Sequence, residues 1–330
     1  MEYRPQLDVI RAVAVVLVLL NHLWLTSTEV ATVGVHAFFV LSGFLITRIL
    51  LLKPRLVDFY WHRALRLLPA YYTCLFASLA LDQEGMRATW PWHVLNLTDV
   101  LIYLRQNWEF AWPSNHFWSL DVEWQFYLVW PLLVLTLPRK LLPWVGATLL
   151  VLSPIYRTWD AQDQVGTLPF AWLDAFGAGI LLALYEGKAP WIYILGLVAA
   201  PLTLADLVWP GDLTELASQA SLAALVLAGW NGALPLPAWK PIYTLGKISY
   251  GVYLYHLLVE GLLEPLNLGE TPQAFLVVSA ATIALAWVSY TFFELPIRRK
   301  GRDLLQRWPR RAPPGPVEAQ AEPVKTEQPG

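Results

Sequence analysis

Two polar residues in an otherwise apolar stretch raise the first chemical question. In LDVIRAVAVVLVLLNH, Arg11 and His22 lie eleven positions apart. At about 100° per residue this is three helical turns plus roughly 20°, so both project from one side, about 16 Å apart along the axis. An ionisable group at membrane depth costs about 2.5–3.5 kcal/mol on insertion scales, so each calls for a reason. One stripe offers an anion-binding cation at one level and a proton-transfer group at another. The alternative is a snorkelling Arg plus a His bonded within a bundle, and spacing alone leaves the two readings balanced.

Three further segments carry polar chemistry. FYWHRALRLLPAYY sets Arg63 and Arg66 one helical turn apart, able to clamp a phosphate or to grip anionic lipid. SNHFWSLDVEWQFYLVWP gathers His116, Ser119, Asp121, Glu123 and Gln125 beside Trp118 and Tyr127. His and Glu near one membrane face are the parts a general base and its orienting carboxylate require; a polar plug in the bundle mouth is the alternative. His116 and Asp121 also have His-x4-Asp spacing, read as coincidence because no supporting acyltransferase motif of the soluble type accompanies it. LGKISYGVYLYH brings Ser249, Tyr250, Tyr253 and His256 within two turns, a set that packs or binds sugar hydroxyls. Glu294 is expected to pair with Arg298.

The elements that must position these groups follow from composition. Of 330 residues, 56% are hydrophobic and 15% charged, with 18 Trp, 14 Tyr and 13 Phe, whereas a soluble domain carries about 25% charged residues. The expected fold is all-α, a polytopic transmembrane bundle. Ten segments suit spanning helices: 7–26, 33–52, 68–84, 118–137, 141–157, 167–185, 190–207, 214–232, 244–264 and 273–296. The stretch 86–117, with Trp90, Pro91, Trp92, Trp108, Trp112 and Pro113, suits an interfacial or re-entrant segment.

Arg11, Asn21 and His22 interrupt the first apolar run and no cleavage site follows, so it reads as an uncleaved first span. Basic residues such as Arg55, Arg63, Arg66, Arg139, Lys140 and Arg298–Lys300 collect on one side of this arrangement. The positive-inside rule then places both termini in the cytoplasm. A transmembrane domain over 1–300 is expected, followed over 301–330 by a cytoplasmic tail, basic and then disordered. A single cysteine, Cys74, excludes an intrachain disulfide. The six histidines show no metal-ligand spacing, and nothing suggests a nucleic-acid partner.

Together these segments resemble the acyltransferase 3 family of integral membrane acyltransferases, which includes O-acetylases of lipopolysaccharide O-antigen and of peptidoglycan. The resemblance runs from Leu7 to about Arg299. It rests on the Arg11/His22 pair, FFVLSGFLI from Phe38 to Ile46, and Arg63-x-x-Arg66 followed by Pro69 and Tyr71. It rests equally on His116, Trp118, Ser119, Leu120, Val122 and Glu123, and on the elements at 248–256 and 289–296. Three departures stand out: His36 before Ala37-Phe38 where an acidic residue is common, Asp121-Val122-Glu123-Trp124-Gln125 for Ser-Val-Glu-Glu-Gln, and His62-Arg63 for a doubled Arg. The chain resembles the stand-alone form without a fused esterase-like domain.

The resemblance implies transfer of an acyl group, usually acetyl, from acyl-CoA to a hydroxyl of a carbohydrate or glycolipid. No permanently bound cofactor is expected, acetyl-CoA or another acyl-CoA being a donor substrate at the cytoplasmic face. Arg63, Arg66 and Arg11 would hold its phosphates, and His22 would deprotonate the acceptor or carry the acyl group transiently, with Glu123 orienting it. His116, Trp118, Ser119, Tyr127, Tyr250, Tyr253 and His256 are the expected acceptor-binding set. The competing classes are a transporter or flippase, against which the absence of inverted repeats counts, and a silent membrane scaffold.

Overall fold

A computed structural model describes residues 3–52, 55–81, 86–107, 115–160, 165–185, 190–206, 212–235, 237 and 239–307. Trp108, Trp112 and Pro113 of the aromatic segment, and the tail from 308, lie outside the described residues. The described chain is helical, with no strand among its residues.

The first two helices, α1 (Pro5–Leu23) and α2 (Val30–Leu52), stand side by side. Asn21, which looked like an interruption, ties their connection by accepting the Ala31 amide at 3.0 Å. The third, α3 (Leu56–Leu81), begins twelve residues before the expected start at 68. Arg63 and Arg66 therefore sit on the helix itself and not in a loop ahead of it. Pro69 lies within this helix.

The segment at 86–107 forms two short helices, α4 (Met86–Val94) and α5 (Thr98–Arg105). Nine and eight residues reach about 12–14 Å, under half the hydrocarbon thickness of about 30 Å, so neither can span. Both dock on the bundle: the Tyr71 hydroxyl donates to the His93 carbonyl at 2.7 Å, and the Thr98 amide donates to Asp121 at 2.6 Å.

The remaining helices are α6 (Phe117–Thr136), α7 (Leu142–Trp159), α8 (Leu173–Leu184), α9 (Pro190–Asp206), α10 (Asp212–Trp230), α11 (Pro241–Leu263) and α12 (Pro272–Val288). A π-helical turn over Ser289–Glu294 joins α12 to α13 (Leu295–Arg307). Helix thus continues past residue 300, and the Trp61 indole donates to the Gly301 carbonyl at 2.8 Å. Glu294 pairs with Arg298 at 2.8 Å, as the one-turn spacing predicts.

A helix stands at each of the ten expected positions. Four, at Pro5–Leu23, Val30–Leu52, Leu56–Leu81 and Pro272–Leu305, are long and apolar enough to cross a membrane. The others are shorter or more polar; α8, for instance, has 12 residues. Large apolar side chains also face outward, including Trp144, Trp159, Leu197 and Phe292, the surface an apolar solvent would cover.

Glycines set the tightest approaches. A Cβ on Gly43 of α2 would lie 2.4 Å from the Phe176 carbonyl oxygen of α8, and one on Gly246 of α11 would lie 1.9 Å from that of Asp8 in α1. Two helix pairs are drawn together where any larger residue would force them apart. The first contact explains the glycine in FFVLSGFLI, whose Phe39 stacks on Phe176 at 4.7 Å.

Candidate active site

Close packing of α1 on α11 brings His22 to His256. The Nδ1 of His22 lies 2.7 Å from the Nε2 of His256, and the rings are parallel to within 2° with centroids 5.0 Å apart, an in-line hydrogen bond. The other nitrogen of His256, Nδ1, lies 2.5 Å from the Tyr253 carbonyl. A carbonyl only accepts, so that Nδ1 carries the hydrogen. With His256 neutral, its Nε2 accepts from the Nδ1–H of His22, and the Nε2 of His22 keeps its lone pair. The arrangement presets the tautomer a general base needs.

Farther along α1, Arg11 opens onto a cavity shared by five helices. Arg11, Phe38, Ser42, Arg63, Arg66, Ser119, Glu123, Tyr127, Ser249, Tyr250 and Tyr253 are on its walls. Arg11 pairs with Asp8 at 3.2 Å. Arg63 is buried, its guanidinium 5.0 Å from the centre of the Tyr127 ring and 5.7 Å from that of Phe59. Among the described residues, neither Arg63 nor Arg66 forms an ion pair. Two guanidinium groups on one cavity wall, without a carboxylate bound to either among the described residues, are a donor set chemically able to bind anionic oxygens.

Glu123 reaches this cavity rather than the histidines. Its carboxylate accepts from the hydroxyls of Ser42 and Tyr127, which are themselves 3.1 Å apart. The ring partner of His22 is instead His256, expected from the sequence in acceptor binding. Tyr250 donates to the Leu67 carbonyl at 3.1 Å. Ser119 and Tyr253 join hydroxyls at 2.5 Å, and the Tyr253 ring lies 5.6 Å from that of His256. That hydroxyl pair stands where the cavity ends and the histidines begin.

His116 and Trp118 complete the expected set. His116 bonds through Nε2 to the Leu254 carbonyl at 3.0 Å and packs its ring 4.7 Å from His256. Trp118 packs 5.2 Å from Trp172 and lies outside the cavity wall. Asp121 is bonded to Thr98 and Tyr71, so the His-x4-Asp spacing joins nothing. Behind it, Asp99 of α5 is fully buried and accepts from Gln125 at 2.9 Å. Burial raises its carboxyl to about 6, against the pull of that hydrogen bond. No cluster of potential metal ligands occurs among the described residues.

Sequence reasoning missed one residue and one pairing of this architecture. Ser42 stands in the sequence only as part of FFVLSGFLI, and its partners Glu123 and Tyr127 lie more than eighty positions away. The His22–His256 bond joins residues 234 positions apart, and no local spacing announces it.

A family model described as an acyltransferase domain matches residues 4–291. Among curated relatives, peptidoglycan O-acetyltransferase OatA of Listeria monocytogenes is 26% identical over 91% of this chain and 56% of its own length. O-acetyltransferase OatA of Staphylococcus aureus is 27% identical over 91% of this chain and 58% of its own. The chain therefore spans a little over half the length of these relatives. No solved structure matches it.

Proposed function

The chain belongs to this acyltransferase family, and on that premise we propose that it is a multi-pass membrane O-acyltransferase moving an acetyl or related acyl group from acyl-CoA to a carbohydrate hydroxyl. The observation that carries the reading is that one helix links an arginine-lined cavity to a preset base. Arg11 lines the cavity with Arg63 and Arg66, and three turns on His22 is held by His256.

In this mechanism Arg63 and Arg66 bind phosphate oxygens of the donor at the cytoplasmic end. Ten passes with both termini inside put their charges on that side, in line with the positive-inside rule. The acyl arm extends past Tyr127 and Tyr250 towards Tyr253, and the Ser119–Tyr253 pair parts to admit the thioester to His22. The Nε2 of His22 takes the proton of the acceptor hydroxyl, whose oxygen attacks the thioester carbon. The carbon–sulfur bond breaks and the departing thiolate recovers the proton from His22. His256 touches neither substrate and acts by holding the imidazole. The acceptor is assigned to carbohydrate because both named relatives are O-acetyltransferases and one acts on peptidoglycan.

Membrane vesicles supplied with acetyl-labelled coenzyme A test the reading. Label should enter an ester-linked glycan or glycolipid in the wild type and not in His22→Ala. Movement of a solute without acyl-CoA, surviving loss of Arg63 and Arg66, would support a transporter instead.

A further inference from the structure

A second cavity, of about 370 Å³, opens between α2, α8 and α10, lined by Phe44, Arg48, Leu182, Tyr185, Leu227, Trp230 and Asn231. It shares no lining residue with the cavity of Arg63 and Arg66. Its size falls within the roughly 300–1,000 Å³ of small-ligand sites. Arg48 is its charge. The guanidinium lies 5.5 Å from the centre of the Trp230 ring, and its polar contact is a long one, 3.4 Å, to the Ala183 carbonyl. Among the described residues, the Nε of Arg48 is buried with no hydrogen-bond partner and Arg48 forms no ion pair. Arg4 approaches the same indole at 5.8 Å, which raises the positive potential there.

An arginine one turn from the end of an apolar helix can simply snorkel towards water. Here three features argue for a receptor. The Nε–H is sealed away from solvent, the guanidinium stands over the Trp230 ring with only one long contact to the Ala183 carbonyl, and Asn231 and Tyr185 add neutral polar groups on the same wall. A partly buried cation without a counter-charge is costly, and an anion supplied by a ligand removes that cost. Guanidinium geometry matches phosphate oxygens in a bidentate way. We propose that this cavity is a second anion site, binding a phosphate ester against Arg48 and Trp230, apart from the donor cavity. The same chemistry is carried by an anionic lipid headgroup and by a nucleotide, and the test separates them.

The full chain would be held in a maltoside detergent, which carries no phosphate, and titrated separately with short-chain phosphatidylglycerol and with ADP. Binding would be followed by native mass spectrometry and by the shift in melting temperature. Arg48→Gln should weaken binding of the preferred probe roughly tenfold or more. Asn231→Asp is the second variant. It puts a carboxylate into the cavity as an internal counter-charge for Arg48, and the Tyr193 hydroxyl, now 2.9 Å from the Asn231 amide nitrogen, can donate to it. This variant should fold at least as well as wild type yet lose the probe. Phosphatidylglycerol alone binding in this manner would assign a lipid, ADP alone a nucleotide, and both together a site that reads phosphate only. Binding of neither probe, or binding equal in wild type and both variants, would overturn the proposal.

Discussion

The Nδ1 of His22 and the Nε2 of His256 lie 2.7 Å apart across the α1–α11 contact, and the second nitrogen of His256 is fixed on its own helix by the Tyr253 carbonyl. The direction of the hydrogen bonds follows from that carbonyl, and with it the lone pair on the Nε2 of His22. The consequences can be measured.

His256→Ala should leave the donor site intact and free the His22 ring to choose its tautomer. We expect kcat to fall by about 10²-fold, within the usual worth of a positioned acid–base group, with KM for acyl-CoA unchanged. His256→Gln, whose amide can still accept from His22, should recover part of the loss. A purely structural role would instead lower stability and move both constants together.

Arg63→Ala and Arg66→Ala should act the other way. Loss of a charge-assisted hydrogen bond costs about 1.5–3 kcal/mol, so the apparent affinity for acyl-CoA should drop by roughly 10- to 100-fold in each. Arg63→Lys should recover little, because an ammonium replaces neither the fork nor the face that packs on Tyr127. Titration of acyl-CoA in detergent-solubilised protein measures this without turnover.

Gly246→Ala should be among the most damaging single changes away from the chemistry. The new Cβ would lie 1.9 Å from the Asp8 carbonyl oxygen, and backbone cannot yield as a flexible side chain does. Overpacking costs about 1–3 kcal/mol or more, and separating α1 from α11 would also break the His22–His256 bond. A lower melting temperature together with lost activity is the expected result.

Asp99 gives stability a pH dependence of known sign. Its folded carboxyl is raised to about 6 by burial, above its unfolded value, so folding favours the protonated form. Stability from this group is therefore present below pH 4 and declines as pH rises from about 4 to 6. Raising the carboxyl from its ordinary value to about 6 corresponds to about 2–3 kcal/mol. Asp99→Asn should melt higher than wild type at pH 7, with the difference shrinking towards pH 4. Melting curves over that range check it.

Much of this architecture was legible because apolar length and aromatic belts are local properties. The prolines and tryptophans from 86 onward marked a segment too interrupted to span, which the structure resolves as two short helices over 86–105, and one turn of spacing gave the Glu294–Arg298 pair. The start of α3 was not legible at 68, because Asp58, His62, Arg63 and Arg66 look like a loop in hydropathy although they share one continuous helix. The common face of Arg11 and His22 was correct, but the partner of His22 was misjudged. Glu123 is the natural carboxylate by sequence, yet Ser42 and Tyr127 claim it, and only the Gly246–Asp8 contact delivers His256. Arg48 was invisible because a single cation in an apolar run reads as a snorkelling residue until the cavity beside Trp230 is seen.

Donor binding by the arginines and proton transfer by His22 are separate tasks within one site. Single-turnover transfer from labelled acetyl-CoA, measured beside equilibrium donor binding in His22→Ala, separates the two tasks. Wild-type affinity for acetyl-CoA with no label reaching an acceptor is the expected result. Transfer at the wild-type rate, or loss of donor binding in this variant, would contradict it.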